Sequence, residues 1–402
     1  MIVSNNIKNP FKISKILIDN FDVTNNFESL TIEESLFNHF IFGTLLLSRL
    51  ILDVPKEWTK KELGFLYKDL EIEWTSDIDE EKREYKKSIT FKIYGINKNE
   101  KDTISLLFIQ EPAFNFYSKQ FCDGWEDTNI NSIISDIFSR YVESEISISS
   151  TPNKTSFTNP LFWTPNKACK YLLPMMGGNK LSYLLFSSSK EEGKTYCLSI
   201  NDFLESNEET ESLVYVIKDM IEKIEIEQSI SEIISFNLNH INNNIFNQLI
   251  NNILGTKVKE YDIESKTILT TNINNNIKNN LKQFGKNTGL VEDFPSTYRN
   301  KFYFSNLNGI EIEKNEAIYE YIKTNYIEII IYGNSKRNLG DLVNIDLSYT
   351  NQFLTDPRNE FNGKCIISKI IHTFDRNNYI QKLNCFKTGL DDWEERIATM
   401  HN

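Results

Sequence analysis

The sequence has little of what most enzymes, membrane spans or nucleic-acid binders require. Its five cysteines (Cys122, Cys169, Cys197, Cys365 and Cys385) are odd in number and form no CxxC pair. That pattern argues against a disulfide framework or a thiolate zinc site and predicts reduced, mostly buried thiols. The four histidines (His39, His240, His372 and His401) are far apart, with no HExxH among them. His372, inside a predicted strand, reads as a packed or hydrogen-bonded side chain and not as a base. Basic charge is also short: 44 Lys and Arg stand against 56 Asp and Glu, a net charge of −12. A general nucleic-acid-binding surface needs the opposite balance. Long apolar runs are missing as well. The most apolar stretch, residues 36–54, is interrupted by Asn38, His39, Arg49 and Asp53, so no insertion into a membrane is expected. The first residues lack the basic-then-apolar order of a signal peptide.

Catalytic and phosphate-binding motifs fail on inspection. Gly193-Lys194-Thr195 has Ser188 where a phosphate loop needs its other glycine, and it sits in a predicted hairpin. Asp77-Ile78-Asp79 opens like a calcium loop, but Lys82 occupies the turn-glycine position. No GxSxG is present. We therefore expect no catalytic, cofactor-binding or metal-binding residues and no cofactor. Carboxylate pairs are numerous, but most such pairs are solvated faces.

What remains is a chain of 402 residues, 40% hydrophobic and 25% charged, long enough for two to four globular domains. Residues 326–390 alternate at period two: Ile327, Ile329 and Ile331; then Val343, Ile345 and Leu347; then two further runs from Cys365 and from Tyr379. Gly and Asn turns separate them, which predicts four antiparallel strands curled into a small barrel. A similar set opens the chain. Residues 13–23 and 27–32 read as strands, 44–53 as an apolar strand, and Leu70, Ile72, Trp74 and Ile89, Phe91, Ile93 as two alternating faces. Between the last two, residues 77–87 read as a charged hairpin tip. The middle is mixed α/β. Ile130, Ile133, Ile134, Ile137, Phe138 and Tyr141 recur at helical spacing, with Asp127 or Thr128 as N-cap. Thr164-Pro165 starts a second helix, followed by a hairpin around residues 190–193. Residues 206–211 read as a linker, 229–247 have helical spacing, and 267–317 are irregular and Asn-rich. The five tryptophans, Trp58, Trp74, Trp125, Trp163 and Trp393, read as core or interface anchors.

Several segments together resemble one family. Leu30-Thr31-Ile32-Glu33-Glu34-Ser35-Leu36-Phe37, then Gly43 and an apolar strand to Asp53, match one of its barrels in order. Gly255 followed by Tyr261-Asp262 matches a later segment, and Gly340-Asp341, Gly363-Lys364 and His372 match the closing barrel. The set resembles the baseplate hub proteins of contractile-tailed bacteriophages of the T-even type, and the hub portion of VgrG-like injection-system spikes. Those proteins carry a glycine before the third strand, where this chain has Leu66-Tyr67-Lys68.

The resemblance implies an α+β, mainly β fold with two tail-tube-like antiparallel β-barrel domains and two smaller mixed α/β domains. The expected division is 1–111 for the first barrel, 112–205 for a mixed domain, 206–240 with 318–390 for the second barrel, and 241–317 for a peripheral insertion. A tail, 391–402, would carry Trp393 and Ile397 four apart for docking. It further implies a non-enzymatic homotrimer in a virion tail baseplate assembled in the host cytoplasm. A spike would sit below, tail-tube or tube-initiator proteins above and wedge proteins around it, with DNA only as transiting cargo. The alternatives are a monomeric β-barrel tail accessory or host-surface-binding protein, or a carboxylate-pair hydrolase.

Overall fold

The computed structural model describes residues 2–3, 11–48, 54–55, 58, 64–78, 84–100, 103–177, 182–206, 211–215, 230–238, 255–273, 299–304, 307–347 and 362–387. Asp53, Trp393 and Ile397 lie outside them, as do residues 79–83 of the expected hairpin tip at 77–87 and all of the apolar strand's second half, 49–53.

The first part of the chain is a run of strands: β1 (Ile2–Val3), β2 (Phe11–Ile18), β3 (Phe21–Asp22), β4 (Phe27–Ser35), β5 (Phe42–Ser48), β6 (Asp69–Ile78), β7 (Glu84–Glu100) and β8 (Thr103–Ile109). Antiparallel ladders order them β2-β6-β7-β8-β5-β4. Alternation dictates which face is inward: Ile13, Ile16, Leu30, Ile32, Leu70, Ile72, Trp74, Phe91 and Phe108 are fully buried in one core. The sheet curls far enough that the segment leading into β4 satisfies β2. Val23 N–H donates to Ile16 O at 2.9 Å, and Ile16 N–H donates to Thr24 Oγ1 at 2.8 Å.

A mixed segment follows: α1 (Pro112–Ser118), β9 (Gly124–Asn129), α2 (Ile130–Ile137), β10 (Ile146–Ile148), β11 (Lys154–Thr158), α3 (Pro165–Leu172), β12 (Tyr183–Ser187), β13 (Thr195–Ser199) and α4 (Ile200–Ser206). Asp127 and Thr128 do not cap α2. They lie in β9, paired with β11, and Asn129 takes the cap position. Ile130, Ile133, Ile134 and Ile137 of α2 meet Ala168, Cys169 and Leu172 of α3 in a separate core. The hairpin β12–β13 docks on the first sheet through Gln110, whose Nε2 donates to Gly193 O at 2.7 Å. Gly193 has φ +83°, and a Cβ there would lie 2.3 Å from that nitrogen, so the contact requires glycine.

The last part contains β14 (Glu211–Val214), β15 (Ile230–Asn237), β16 (Thr256–Asp262), β17 (Thr267–Asn272), β18 (Arg299–Phe304), α5 (Gly309–Thr324), β19 (Ile327–Tyr332), β20 (Leu342–Asp346), β21 (Gly363–Asp375) and β22 (Tyr379–Lys387). Two differences from the sequence reading stand out. Residues 230–237 form a strand, because Ile233 faces a barrel core. Residues 309–324 are helical, with Ile312, Ala317, Ile318 and Ile322 packed inward. The chain is mainly β and closes a six-strand barrel in the order β21-β20-β14-β15-β19-β22, with β22 returning to β21. The four strands predicted from alternation supply most of it, and β14 and β15 complete the ring, β14 through parallel ladders to β20 and β15, and β15 through an antiparallel ladder to β19. Its core is rich in Ile, from Ile327, Ile329 and Ile331 to Ile366, Ile367 and Ile370.

β21 belongs to both sheets. Its first half pairs with β20, and its second half, Lys369 to Asp375, pairs with β4. A register shift against β22 between Ile367 and Lys369 marks the change, as expected where a strand bends from one sheet into another. β17-β16-β18 form a separate sheet against α5. Among the described residues no helix is long and apolar enough to cross a membrane.

Candidate functional site: a buried polar joint

Four strands place a polar residue in an otherwise apolar inward stripe. β4 runs Leu30, Ile32, Glu34; β7 runs Lys87, Ile89, Phe91; β21 runs Ile370, His372, Phe374; β22 runs Tyr379, Gln381, Leu383. All twelve are buried. The ladders bring the four polar side chains to one level, where the first sheet, the barrel and the β12–β13 hairpin meet.

Glu34 and His372 are both 0% exposed, and their contact is 2.8 Å from Nε2 to Oε1. His372 Nδ1 lies 2.7 Å from Tyr379 OH, and Gln381 Nε2 donates to that hydroxyl at 2.9 Å. The network therefore assigns a neutral imidazole that accepts at Nδ1 and donates from Nε2. Glu34 takes two more bonds from the hairpin, from Ser189 N–H at 2.9 Å and Ser189 Oγ at 2.8 Å. Lys87 Nζ donates to Ser189 Oγ at 2.7 Å and to Arg337 O at 2.9 Å. Arg337 continues the network with a bidentate pair to Glu211 at 2.6 and 2.7 Å, and bonds to Tyr332 O and Gln381 Oε1.

Burial pushes the Glu34 carboxyl upward, but the Lys87 charge and the bonds from His372 and Ser189 outweigh it and hold its pKa at about 2. Burial dominates at His372 and keeps it below its usual value despite the carboxylate. Burial likewise lowers Lys87, opposed by Glu34 and Asp341. Glu34 is thus an anion held by donors from the hairpin and from β21 and by the Lys87 charge from β7. Sealed from solvent, the cluster cannot reach a substrate. What it can do is fix the relative position of the parts that supply it.

The other predicted residues serve nearby contacts or lie apart. Ser35 Oγ accepts from Phe37 N–H at 3.2 Å, and Phe37 packs edge-on to Tyr319 at 5.5 Å, beside a cleft of about 520 Å³. A Cβ at Gly43 would strike Thr31 O and the Phe108 ring. Gly340 has φ +83° and donates to Ile367 O at 2.9 Å, with Phe203 against it. Asp341, raised by burial, accepts from Asn338 N–H at 2.8 Å. Gly363 and Lys364 open β21, paired with Ile345 and Asn344. Gly255 and Asp262 bracket β16 away from the joint, and Asp262 accepts from Glu264 and Ser265 in the turn. Sequence reading missed Lys87, Ser189, Arg337, Gln381 and Glu211. Residues 77–87 read as a charged hairpin tip, yet Lys87 at its end is only 5% exposed. The signal was present in the interrupted stripes.

Searches of the sequence against family models and against curated proteins find no match. Solved structures do match, over almost the whole chain. A tail protein of Neisseria meningitidis MC58 superposes with a TM-score of 0.58 at 8% identity, covering 94% of this chain and 97% of that one. The 43 kDa tail protein of prophage MuSo2 from Shewanella oneidensis gives 0.56 at 10% identity, covering 94% and 98%. The fold is that of phage tail proteins. At such identities the likeness concerns the backbone arrangement and leaves the role to be argued from this chain.

Proposed function

We propose that this protein is the central hub of a contractile phage tail baseplate or of a related injection system. In this reading it is a structural trimer, not an enzyme, in which each chain supplies two barrel-like units, residues 1–111 and residues 206–240 with 318–390. Six such units would form a ring that continues a sixfold tail tube, while the threefold trimer matches a spike below. Residues 112–205 and 241–317 would lie outside the ring, facing wedge proteins.

One observation carries the reading: the sheet is continuous from the closed barrel through the β21–β4 ladder into the curled first sheet. A hydrogen-bonded ladder with a buried ionic joint beneath it is a stiff connection, and a ring of paired units needs the angle inside a chain to equal the angle between chains. The fold shared with tail proteins supports the setting. The net charge of −12 supports a lumen from which transiting DNA is repelled.

The test is electron microscopy of the purified oligomer. We expect three chains in a ring with an open centre, and two superposable units per chain related by about a sixth of a turn. A compact monomer overturns the proposal.

A further inference from the structure

The sheet β17-β16-β18 has one covered face and one open face. α5 covers the first over β16 and β18, where Val258 is fully buried and Tyr303 OH donates to Glu313 at 2.5 Å, while Leu269 of β17 on that side stays 60% exposed. Register sets the second. Lys257, Lys259 and Tyr261 of β16 stand beside Asn300, Phe302 and Phe304 of β18, and beside Asn272, Thr270 and Ile268 of β17. Phe302 is 69% exposed, Ile268 59% and Phe304 53%, with Tyr261 also open. Lys259 Nζ lies 5.1 Å from the Phe302 ring centre. These rows hold two lysines and no carboxylate, on a chain of net charge −12. Single exposed apolar residues are ordinary, but four on adjacent strands mark a contact surface.

The chain itself contains a segment of complementary chemistry. Between residues 390 and 400, Asp391, Asp392, Glu394 and Glu395 outnumber Arg396, while Leu390, Trp393, Ile397 and Met400 recur three and four apart. On a helix, that spacing would put the four apolar residues on one face, with the acids beside them. We propose that the open face binds residues 390–400 of a second copy of the chain, aromatic to aromatic and acid to lysine.

Reach decides against the same copy. β22 ends at Lys387, and Cys385 pairs with Ile327, just past the C-terminal end of α5. The sheet packs at the other end of that helix, through Glu260 to Ile310 N–H and Tyr303 to Glu313. A helix of 16 residues is about 24 Å long. Trp393 would have to cover most of that length and then round the sheet within six residues, which even fully extended span about 20 Å. A neighbouring copy meets no such limit. The proposal rests on the multimeric reading given above.

The test replaces Ile397 with a photoreactive phenylalanine in the full chain, after the oligomeric state of the same sample has been measured. We expect irradiation to give a covalent dimer whose cross-link maps to Phe302, Phe304 or Ile268, lost when Phe302→Glu is also present. A cross-link to the same face within one chain overturns the second-copy source. A cross-link elsewhere, or none, in an intact oligomer overturns the docking proposal and leaves the hub reading standing. A monomeric sample overturns both.

Discussion

The joint beneath the β21–β4 ladder and the outer face of the first sheet both hold opposite charges within hydrogen-bonding distance. On the outer face Lys15 meets Glu71 at 2.7 Å and Lys86 meets Glu73 at 2.6 Å, each lysine more than a third exposed. In the joint Arg337, 4% exposed, meets Glu211 at 2.6 Å, beside the fully buried Glu34 carboxylate and its neutral partner His372. Distance is nearly the same; the surroundings are not. An exposed pair trades water for a partner at little net gain. A buried pair has lost its water, so removing one partner leaves a charge with nothing to replace it. The lesson is that the joint acts less as a source of stability than as a positional lock. Any arrangement of the sheets other than this one strands a buried ion.

The sharpest way to break the contrast is Glu34→Ala, which leaves Ser189 and His372 without their shared acceptor and the buried Lys87 charge without its nearby anion. We expect a loss of about 3–5 kcal/mol in urea unfolding, and oligomers with altered angles between units wherever the variant still folds. Arg337→Met comes next. It removes the bidentate pair to Glu211 and the single bonds to Tyr332 O and Gln381 Oε1, at a cost of about 3 kcal/mol.

Acid should separate the two regions without mutation. The Glu34 pKa is lowered from 4.5 to about 2. Its contribution is therefore complete above its unfolded value and is lost as pH falls from there through the folded one. The His372 pKa is also lowered, from 6.5. The folded state resists its protonation, so stability begins to fall as pH drops below that value. Unfolding midpoints measured from pH 7 downward should decline in two stages, and His372→Gln should shrink the upper one, leaving the part that comes from His39, which burial also lowers.

Thr24→Val tests the seam of the first sheet by taking the acceptor from Ile16 N–H, with an expected loss of about 1–2 kcal/mol. The smallest effect belongs to Lys15→Ala, where unfolding should shift by less than about 0.5 kcal/mol. A loss there as large as that of Glu34→Ala would end the comparison.

Much of this architecture could be read from the residues. Alternation found the strands around Ile327, Val343, Cys365 and Tyr379, because a half-buried strand writes its face directly into the chain. The Thr164-Pro165 pair marked the start of the helix at Pro165. Glu34 and His372 were both singled out, 338 residues apart, but nothing local said that they touch. Lys87 was misplaced because a lysine among Glu81, Lys82, Arg83 and Glu84 looks like surface, although it opens the inward stripe of Ile89 and Phe91. Residues 230–237 looked helical by spacing and became a strand because the barrel needed one.

The sequence by itself determined the mainly β character, the inward faces of most strands and the absence of recognisable catalytic motifs, since these depend on neighbours two to four residues apart. Only the tertiary structure decided that β21 serves two sheets, that β14 and β15 close the barrel, and that Glu34, Lys87, His372 and Arg337 share one buried site. Those outcomes depend on register between strands hundreds of residues apart, and register is set when the core packs.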